Sequence, residues 1–156
     1  LFGILVLDRA VKVWALVALE PVGTIPVIQD VFHLTYTENT GAAFSILSDH
    51  TWIIIVITAA LSLVLLYFVF FKKLRPAYKL PLLFVAAGGM GNLIDRFFMG
   101  YVTDMIQVLF IKFAVFNVAD IFVVVGAVLL VIYVLFFWDR CERVHGKREI
   151  RGKRKK

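Results

Sequence analysis

The amino-acid sequence predicts an all-α membrane protein of four transmembrane helices that carries a small extracytoplasmic β-sheet. Hydrophobic residues make up 62% of the 156-residue chain, and the mean hydropathy is +0.91. A soluble protein of this size does not need so much apolar composition to form a core. Long apolar runs alternate with short polar segments, and one of these polar segments is rich in β-branched and aromatic residues.

Two apolar runs are long enough to cross a bilayer without interruption. Residues 52–71 and 121–138 contain no charged side chain, and about 20 apolar residues span the hydrocarbon core. A third run, residues 80–94, is shorter and rich in glycine, and the charged pair Asp95 and Arg96 follows it. We predict a transmembrane helix for each of these runs, with a polar end on the third.

The first apolar region, residues 1–19, is interrupted by Asp8, Arg9 and Lys12. We nevertheless predict a fourth span here, because a cleavable signal peptide would not carry charges in its apolar centre. Asp8 and Lys12 are four residues apart, so they lie on one helical face and can form an ion pair. That pair either neutralises itself or also supports a neighbouring site. Because the sequence opens without Met, we also expect residues upstream of this numbering.

Lysine and arginine are distributed unevenly between the predicted loops. Residues 72–79 hold four and residues 139–156 hold nine, whereas residues 20–51 hold none. Because Lys and Arg in short loops stay in the cytoplasm, we predict cytoplasmic termini and outer positions for residues 20–51 and 97–117. Residues 1–138 then form the membrane domain, and residues 139–156 form a basic cytoplasmic tail.

The basic tail has two interpretations, a nucleic-acid-binding segment or a topology signal that touches anionic lipid headgroups. Its position directly after a predicted transmembrane helix favours the second interpretation. We therefore predict membrane lipids, and no nucleic acid, as partners. Cys141 is the only cysteine, so an intrachain disulfide is excluded, and this topology places a reduced thiol on the cytoplasmic side.

Between the first two predicted spans, residues 24–38 are predicted to be extended. Residues 25–37 are rich in Val, Ile, Phe, Thr and Tyr and follow a segment with Pro and Gly, a composition typical of strands. A short sheet on the outer membrane surface could bind an extended peptide along its free edge. A simple connecting hairpin is the alternative.

Small and polar residues cluster at the end of the third predicted span. Gly88, Gly89 and Gly91 permit close approach of another helix. Asn92 and Arg96 are four residues apart on one helical face, so both can donate to one target, such as a backbone carbonyl or a headgroup phosphate. Polar groups at this depth are costly in free energy and need a partner or a function.

Two carboxylates flank a hydrophobic segment at the outer membrane boundary, Asp104 in YVTDMI and Asp120 in FNVADIF. Burial disfavours ionisation, and close approach of the two acids would raise the pKa of one carboxyl, so that the pair shares a proton. Such a pair can hydrolyse a peptide bond by general acid–base catalysis. The alternative for Asp120 is a plain helix N-cap. Asn117 lies three residues earlier on the same helical face.

Other hydrolytic chemistries have weaker support in the sequence. The three histidines lack the H-E-x-x-H spacing that places two zinc ligands on one helix, and no G-x-S-x-G motif occurs. We therefore predict no metal site. A Ser–Lys pair, in which Lys12 activates Ser45 or Ser48, remains a minor alternative because a buried lysine loses its proton readily.

Four segments together resemble bacterial lipoprotein signal peptidase, also called signal peptidase II. They are DRAVK at residues 8–12, ENTGAAFSIL at 38–47, GGMGNLIDR through YVTDMI at 88–106, and FNVAD at 116–120. Each segment alone is a weak signal. In this order and spacing, on a hydropathy profile of four predicted spans, they make a specific resemblance that covers nearly the whole chain.

The resemblance implies an aspartyl endopeptidase of the bacterial cytoplasmic (inner) membrane, with its active site at the outer face. Its substrates would be prolipoproteins, cut just before a cysteine that carries diacylglycerol, and its inhibitors would be of the globomycin type. Asp104 and Asp120 match the catalytic acids of the family, and no cofactor is expected. The residues implied in substrate binding are Asn39, Gly41, Asn92, Arg96, Asn117, Asp8 and Lys12.

Within the second segment, the resemblance implies that Ala42 and Ala43 leave room for the substrate backbone and that Phe44 packs. The sequence departs from the family pattern beside the first acid. Thr103 stands where the family usually has Val, and Met105 stands where it usually has Phe. Both departures leave the carboxylate in place and bear on the fit of the substrate.

Asp95 is the main rival for the first catalytic position, although its neighbour Arg96 favours an ion pair between the two. A different class of function is a small transporter or channel in which Asp8, Lys12, Asp95 and Asp120 form a proton or ion path. Related halves with acids near the middle of the bilayer would be more typical of a transporter. A third alternative is a lipid or lipopeptide binder that needs the amide and guanidinium side chains but tolerates loss of both acids.

Overall fold

The computed structural model of the protein describes residues 1–41, 50–111 and 113–153, with side chains up to residue 136. The fold is mostly helical and contains one three-stranded sheet. In chain order the elements are α1 (Phe2–Trp14), a π-helical segment (Ala15–Leu19), β1 (Thr24–Ile28), β2 (Phe32–Asn39), α2 (Thr51–Phe71), α3 (Pro76–Met99), β3 (Val102–Val108) and α4 (Val118–Lys153).

Three helices in the described part of the chain are long and apolar enough to cross a membrane. They are α2, α3 and the Val118–Phe136 part of α4. Their surfaces expose large apolar side chains, such as Leu63, Phe71 and Leu135, which a soluble fold would bury but a bilayer accommodates. The chain is therefore a multi-pass membrane protein. The last helix runs on to Lys153, well beyond the predicted end of the span at residue 138.

The helix over residues 2–19 is not among these three, although a fourth span was predicted there. In a soluble amphipathic helix the apolar side chains are buried and the charged ones are exposed, and this helix has the reverse distribution. Asp8 and Lys12 are buried, whereas Phe2, Val6 and Val17 are exposed. Because α1 packs against both α3 and α4, its charges point into the helix bundle and its apolar face points outward.

Close packing between α3 and α4 depends on Gly88. A Cβ atom at this position would clash with the carbonyl oxygen of Ala119 and lie 2.7 Å from Cγ2 of Val123. The close helix approach predicted from the glycines is therefore present. It brings the first turn of α4 against the middle of α3, where Asn92 lies one helical turn further along.

The three strands form an antiparallel sheet in the order β1-β2-β3. The predicted β segment 24–38 forms β1 and β2, and Asp30 in the turn between them has a φ of 56°, a conformation that Asp tolerates better than most residues. The third strand was not predicted. It pairs with β2 so that Thr37 lies opposite Asp104 and Asn39 opposite Val102.

A small apolar core joins the sheet to the end of the first helix. Ala15, Leu19 and Met105 are fully buried there, and Leu34 and Tyr36 of β2 pack against them. Met105 points into this core, and adjacent residues of a strand point to opposite faces of a sheet. Asp104 therefore points to the other face, toward α3 and α4.

We expect Gly88→Ala to destabilise the protein by about 1–3 kcal/mol, the usual cost of overpacking a tight contact. The added methyl group would meet a backbone oxygen, which cannot rotate away as a side chain can. Thermal unfolding in detergent measures the effect, and Gly3→Ala is the matched control because nothing lies within 4 Å of a Cβ there. Equal melting temperatures for the two variants would contradict this packing.

Candidate active site

Asp104 and Asp120 line the same cavity, which has a volume of about 470 Å³. The first comes from β3 and the second from the first turn of α4. Among the described residues, three more polar side chains reach the cavity, and the other lining residues are apolar. The described residues that line it are Asn39, Asn92, Arg96, Val102, Asp104, Phe113, Ala114, Val115, Phe116, Asp120, Ile121, Val123, Val124 and Val125.

The Asp104 carboxylate accepts hydrogen bonds from two asparagine side chains. Nδ2 of Asn39 donates to its Oδ2 at 3.0 Å, and Nδ2 of Asn117 donates to its Oδ1 at 2.6 Å. Asn39 and Asp104 come together because Val102, the β3 partner of Asn39, lies two residues before Asp104 on the same face of the sheet. Only 1% of the Asp104 surface is exposed.

Asn117 caps α4, and Asp120 lies at the third position of the helix. Oδ1 of Asn117 accepts the backbone N–H of Asp120 at 3.0 Å, and Oδ2 of Asp120 accepts the backbone N–H of Asn117 at 3.0 Å. This reciprocal pair is a capping box. The N-cap alternative for Asp120 is therefore wrong by three residues, because α4 begins at Val118.

Two asparagine amides connect the aspartates. The Asn117 side chain donates to Asp104 and accepts from the backbone of Asp120. It also donates to Oδ1 of Asn92 at 3.0 Å, while Nδ2 of Asn92 donates to Oδ1 of Asp120 at 2.7 Å. Hydrogen bonds from these amides therefore hold both carboxylates, and both carboxylates still line the cavity.

The pKa of the Asp104 carboxyl is raised from 3.8 to about 6. Burial is the largest cause of this increase, and the negative charge of Asp120 also contributes to it. The hydrogen bonds from Asn39 and Asn117 and the charge of Lys12 act in the opposite direction and lower the pKa. Loss of solvation outweighs these contacts. Asp104 therefore holds a proton more readily than an exposed aspartate does, as a general acid must.

Arg96 holds the backbone just after Asn39, the last residue of β2, in place. Its Nη2 donates to the backbone carbonyl of Gly41 at 2.6 Å, so a bond to a backbone carbonyl is present. The shared target predicted for Arg96 and Asn92 is wrong, because Asn92 donates to Asp120 instead. The N–H of Gly41 in turn donates to Oδ1 of Asn39 at 3.1 Å. With Oδ1 occupied in this way, the Asn39 amide must present its NH₂ group to Asp104. Gly41 itself does not line the cavity.

Asp8 and Lys12 lie behind the cavity wall and do not line the cavity. Nζ of Lys12 is 2.9 Å from Oδ2 of Asp8, so the ion pair expected from their spacing is present. The same Nζ donates a hydrogen bond to Oδ1 of Asn92 at 2.9 Å. Oδ1 of Asp8 accepts the backbone N–H of Ala119 at 3.0 Å. The first helix thereby contacts both Asn92 and the first turn of α4.

Asp95 does not reach the cavity, so the structure contradicts its candidacy for the first catalytic position. It is fully buried. Its ion-pair partners are Arg9, at Oδ1, and Lys12, whose Nζ lies 2.7 Å from Oδ2. The pairing expected with Arg96 is therefore wrong, because Asp95 points toward α1 while Arg96 points into the cavity.

The family model of signal peptidase (SPase) II matches residues 1–136. This chain belongs to the signal peptidase II family. The lipoprotein signal peptidase of Clostridioides difficile (strain 630) is 46% identical over 131 residues, which cover 84% of this chain and 88% of that protein. That of Caldanaerobacter subterraneus is 45% identical over 130 residues, covering 83% and 89%.

A solved structure supports the same assignment. A bacterial membrane enzyme determined by the in meso method superimposes on this peptidase with a TM-score of 0.77 at 29% identity, covering 86% of this chain and 84% of that one. The family assignment supports cleavage of signal peptides from prolipoproteins, and it makes the chain a hydrolase.

Several predicted features of this peptidase lie outside the described residues. These are Ala42, Ala43 and Phe44, both serines of the Ser–Lys alternative (Ser45 and Ser48), and the side chain of Cys141. Among the residues that are described, no group of three or more His, Cys, Asp or Glu side chains could hold a metal ion.

Sequence reasoning missed two parts of the site. The first is the third strand, because VTDMIQV has β-branched residues at Val102, Thr103, Ile106 and Val108 but no regular alternation of apolar and polar residues, so its signal for a strand is weak. The second is the cavity wall formed by residues 113–116. Phe116 pairs with Ile106 in an isolated bridge, and it thereby brings this segment alongside Asp104. A short bridge of this kind has no sequence periodicity to reveal it.

We expect the pKa of Asp104 to rise further in Asn39→Ala, because this change removes a hydrogen bond that favours the carboxylate. A ¹³C NMR titration of the carboxyl carbon measures the shift, with a midpoint near 6 expected for the unmodified protein. Thr35→Val is the control on the same strand, and it should leave the midpoint in place. A midpoint near 3.8, or a lower one in Asn39→Ala, would contradict the assigned environment.

Proposed function

We propose that this peptidase is an aspartic endopeptidase that cuts diacylglyceryl-modified prolipoproteins just before the lipidated cysteine. One observation carries the proposal: Asp104 and Asp120 line a single cavity and are connected through the Asn117 amide. Asn117 orients both acids without covering either of them. Two carboxyl groups in one water-accessible cavity form the minimal apparatus for acid–base hydrolysis of an amide.

The two acids have different surroundings, which suits them to different roles. Asp104 is buried and has a raised pKa, so it carries the shared proton and donates it to the scissile carbonyl oxygen. Asp120 lies in the first turn of α4 and accepts a backbone N–H there, a position where a helix stabilises negative charge. Its carboxylate takes a proton from the attacking water, whose oxygen then bonds to the carbonyl carbon.

The second half of the reaction reverses these proton transfers. The tetrahedral diol collapses as Asp120 gives the proton that it took from water to the departing amine nitrogen. Asp104 recovers a proton from one of the diol hydroxyls, and the carbon–nitrogen bond breaks. The products are a carboxylic acid on the signal peptide and a free amine on the lipidated cysteine, and both acids return to their starting states.

The cavity has the polarity that a lipidated substrate requires. Its polar groups, those of Asn39, Asn92 and Arg96, lie beside the acids, and we assign them to the backbone of the substrate. Nε of Arg96 is buried and has no hydrogen-bond partner among the described residues, so a shift of the guanidinium on substrate binding would let it donate to a substrate carbonyl. An unpaired buried donor costs about 1–3 kcal/mol, and substrate binding would relieve that cost.

The remaining wall suits acyl chains. The Val123–Val125 part of α4 and the segment at 113–116 line the cavity with apolar side chains, and Val124 is also exposed on the outer surface of α4. We assign the diacylglyceryl group to this wall, where its chains can stay in contact with membrane lipid. Inhibitors of the globomycin type would occupy the same cavity.

The sequence-matched residues outside the cavity act as positioning residues in this proposal. Asn117 donates directly to Asp104, and Gly41 orients the Asn39 amide that also donates to it. Asp8 accepts a backbone N–H of α4, and Lys12 donates to Asn92. They therefore support substrate binding and catalysis without touching the substrate.

We propose four transmembrane helices, with the helix over residues 2–19 as the first. Its 18 residues would extend about 27 Å at 1.5 Å per residue, and its buried charges leave an apolar surface for lipid. The basic segments at 72–79 and 139–156 place both termini in the cytoplasm. The site then lies at the outer face of the bacterial inner membrane, in a membrane domain of residues 1–138 followed by a basic tail.

The test is cleavage of a purified diacylglyceryl-modified prolipoprotein by the protein in detergent micelles. We expect Asp104→Asn and Asp120→Asn each to lower kcat by at least about 10³-fold, because each removes one of two groups that act together. Asp30→Asn is the control, since Asp30 is an exposed acid in the β1–β2 turn. Full activity in either dyad variant would refute the aspartic mechanism, and activity confined to unlipidated substrates would refute the assigned specificity.

A further inference from the structure

We propose that Asp95 is a positioning residue for the peptidase reaction, because it holds the Lys12 ammonium in the place where it orients Asn92 against Asp120. This inference rests on the proposed function, since its effect is measured on the rate of cleavage. Asp95 is fully buried and does not line the cavity. Any influence that it has on the reaction must therefore pass through the side chains that it contacts.

Among the described residues, Lys12 has three polar partners, and Asp95 is one of them. Its Nζ lies 2.7 Å from Oδ2 of Asp95 and 2.9 Å from Oδ2 of Asp8. The third contact is the 2.9 Å hydrogen bond to Oδ1 of Asn92. The Asp95 contact is one of charge, because Oδ2 of Asp95 is without a hydrogen bond of good geometry in the described residues. Two acids thus hold a fully buried ammonium in the direction of Asn92.

The orientation of the Asn92 amide depends on this ammonium. Its Oδ1 accepts from Lys12 and Asn117, and its Nδ2 donates to Asp120. If the amide were reversed, its NH₂ group would face two donors and its oxygen would face a carboxylate. A lysine ammonium can only donate, so Lys12 selects the orientation in which Asn92 presents a donor to the catalytic acid.

Charge balance explains why Asp95 is needed beside Asp8. Arg9, Lys12, Asp8 and Asp95 form a cluster of two cations and two anions in direct contact. Without the Asp95 charge, Asp8 would be the only carboxylate of the cluster for both cations. We infer that Lys12 would then shift toward Asp8, which would weaken its bond to Asn92 and leave the Asp120 carboxylate held mainly by the backbone N–H of Asn117.

The test is a double-mutant cycle on prolipoprotein cleavage that joins Asp95→Asn and Asn92→Ala. We expect Asp95→Asn alone to lower kcat about 10-fold or more and to change KM by a smaller factor, because every side chain that lines the cavity is still present. In the Asn92→Ala background, Asp95→Asn should lower kcat less than about 2-fold, since its route to Asp120 is already removed. Ser62→Ala, a buried polar position in α2, is the control and should leave kcat unchanged.

A neutral-pair variant covers the case in which Asp95→Asn does not fold. Arg9→Gln combined with Asp95→Asn removes one positive and one negative charge, and we expect it to fold with kcat lowered to the same degree. Full kcat in a folded Asp95 variant, or an equal loss from Asp95→Asn with and without Asn92, would overturn the proposal. If the unmodified protein cleaves no prolipoprotein, the proposed function fails instead, so the two failures are distinguishable.

Discussion

The side-chain amide of Asn117 is the interaction on which the rest of the site depends. It contacts Asp104 on a strand and Asp120 on a helix, two elements that the chain connects only through a short segment. A buried amide has a fixed number of donors and acceptors, and an unpaired one costs about 1–3 kcal/mol. Asn117 has its NH₂ group bonded to Asp104 and Asn92 and its oxygen bonded to the backbone N–H of Asp120. The relative placement of the acids follows from satisfying these atoms together.

The buried polar groups next to Asn117 also need hydrogen-bond or charge partners, and each partner lies further from the two acids. Asn92 must accept from Asn117 and donate to Asp120, which leaves its oxygen free to accept from Lys12 as well. A buried lysine needs negative charge nearby, and Asp8 and Asp95 supply it. Asp8 also accepts a backbone N–H from the first turn of α4. One connected polar network therefore links α1, α3, α4 and the sheet, in a fold whose long helices expose large apolar side chains.

The sequence supported much of this fold because each predictable feature has a local cause. Apolar runs indicate spans wherever they meet the length of a bilayer, and α2 and α4 illustrate this. The face shared by Asp8 and Lys12 follows from helical geometry alone. Strand β3 was missed because seven residues between a helix and a loop carry only a weak periodic signal. The partners of Asp95 were missed because Arg9 is 86 residues away in sequence, a separation that only tertiary packing bridges.

The most direct measurement of the central claim is a structure of Asp104→Asn with an uncleaved diacylglyceryl-modified prolipoprotein peptide bound. If the two acids form the catalytic pair, the scissile carbonyl lies between positions 104 and 120, within about 4 Å of both side chains, since catalytic groups act from hydrogen-bond range or through one water. The Asn117 amide would still contact both positions. A scissile bond bound outside this cavity, or one approached by only one of the two residues, would contradict the account.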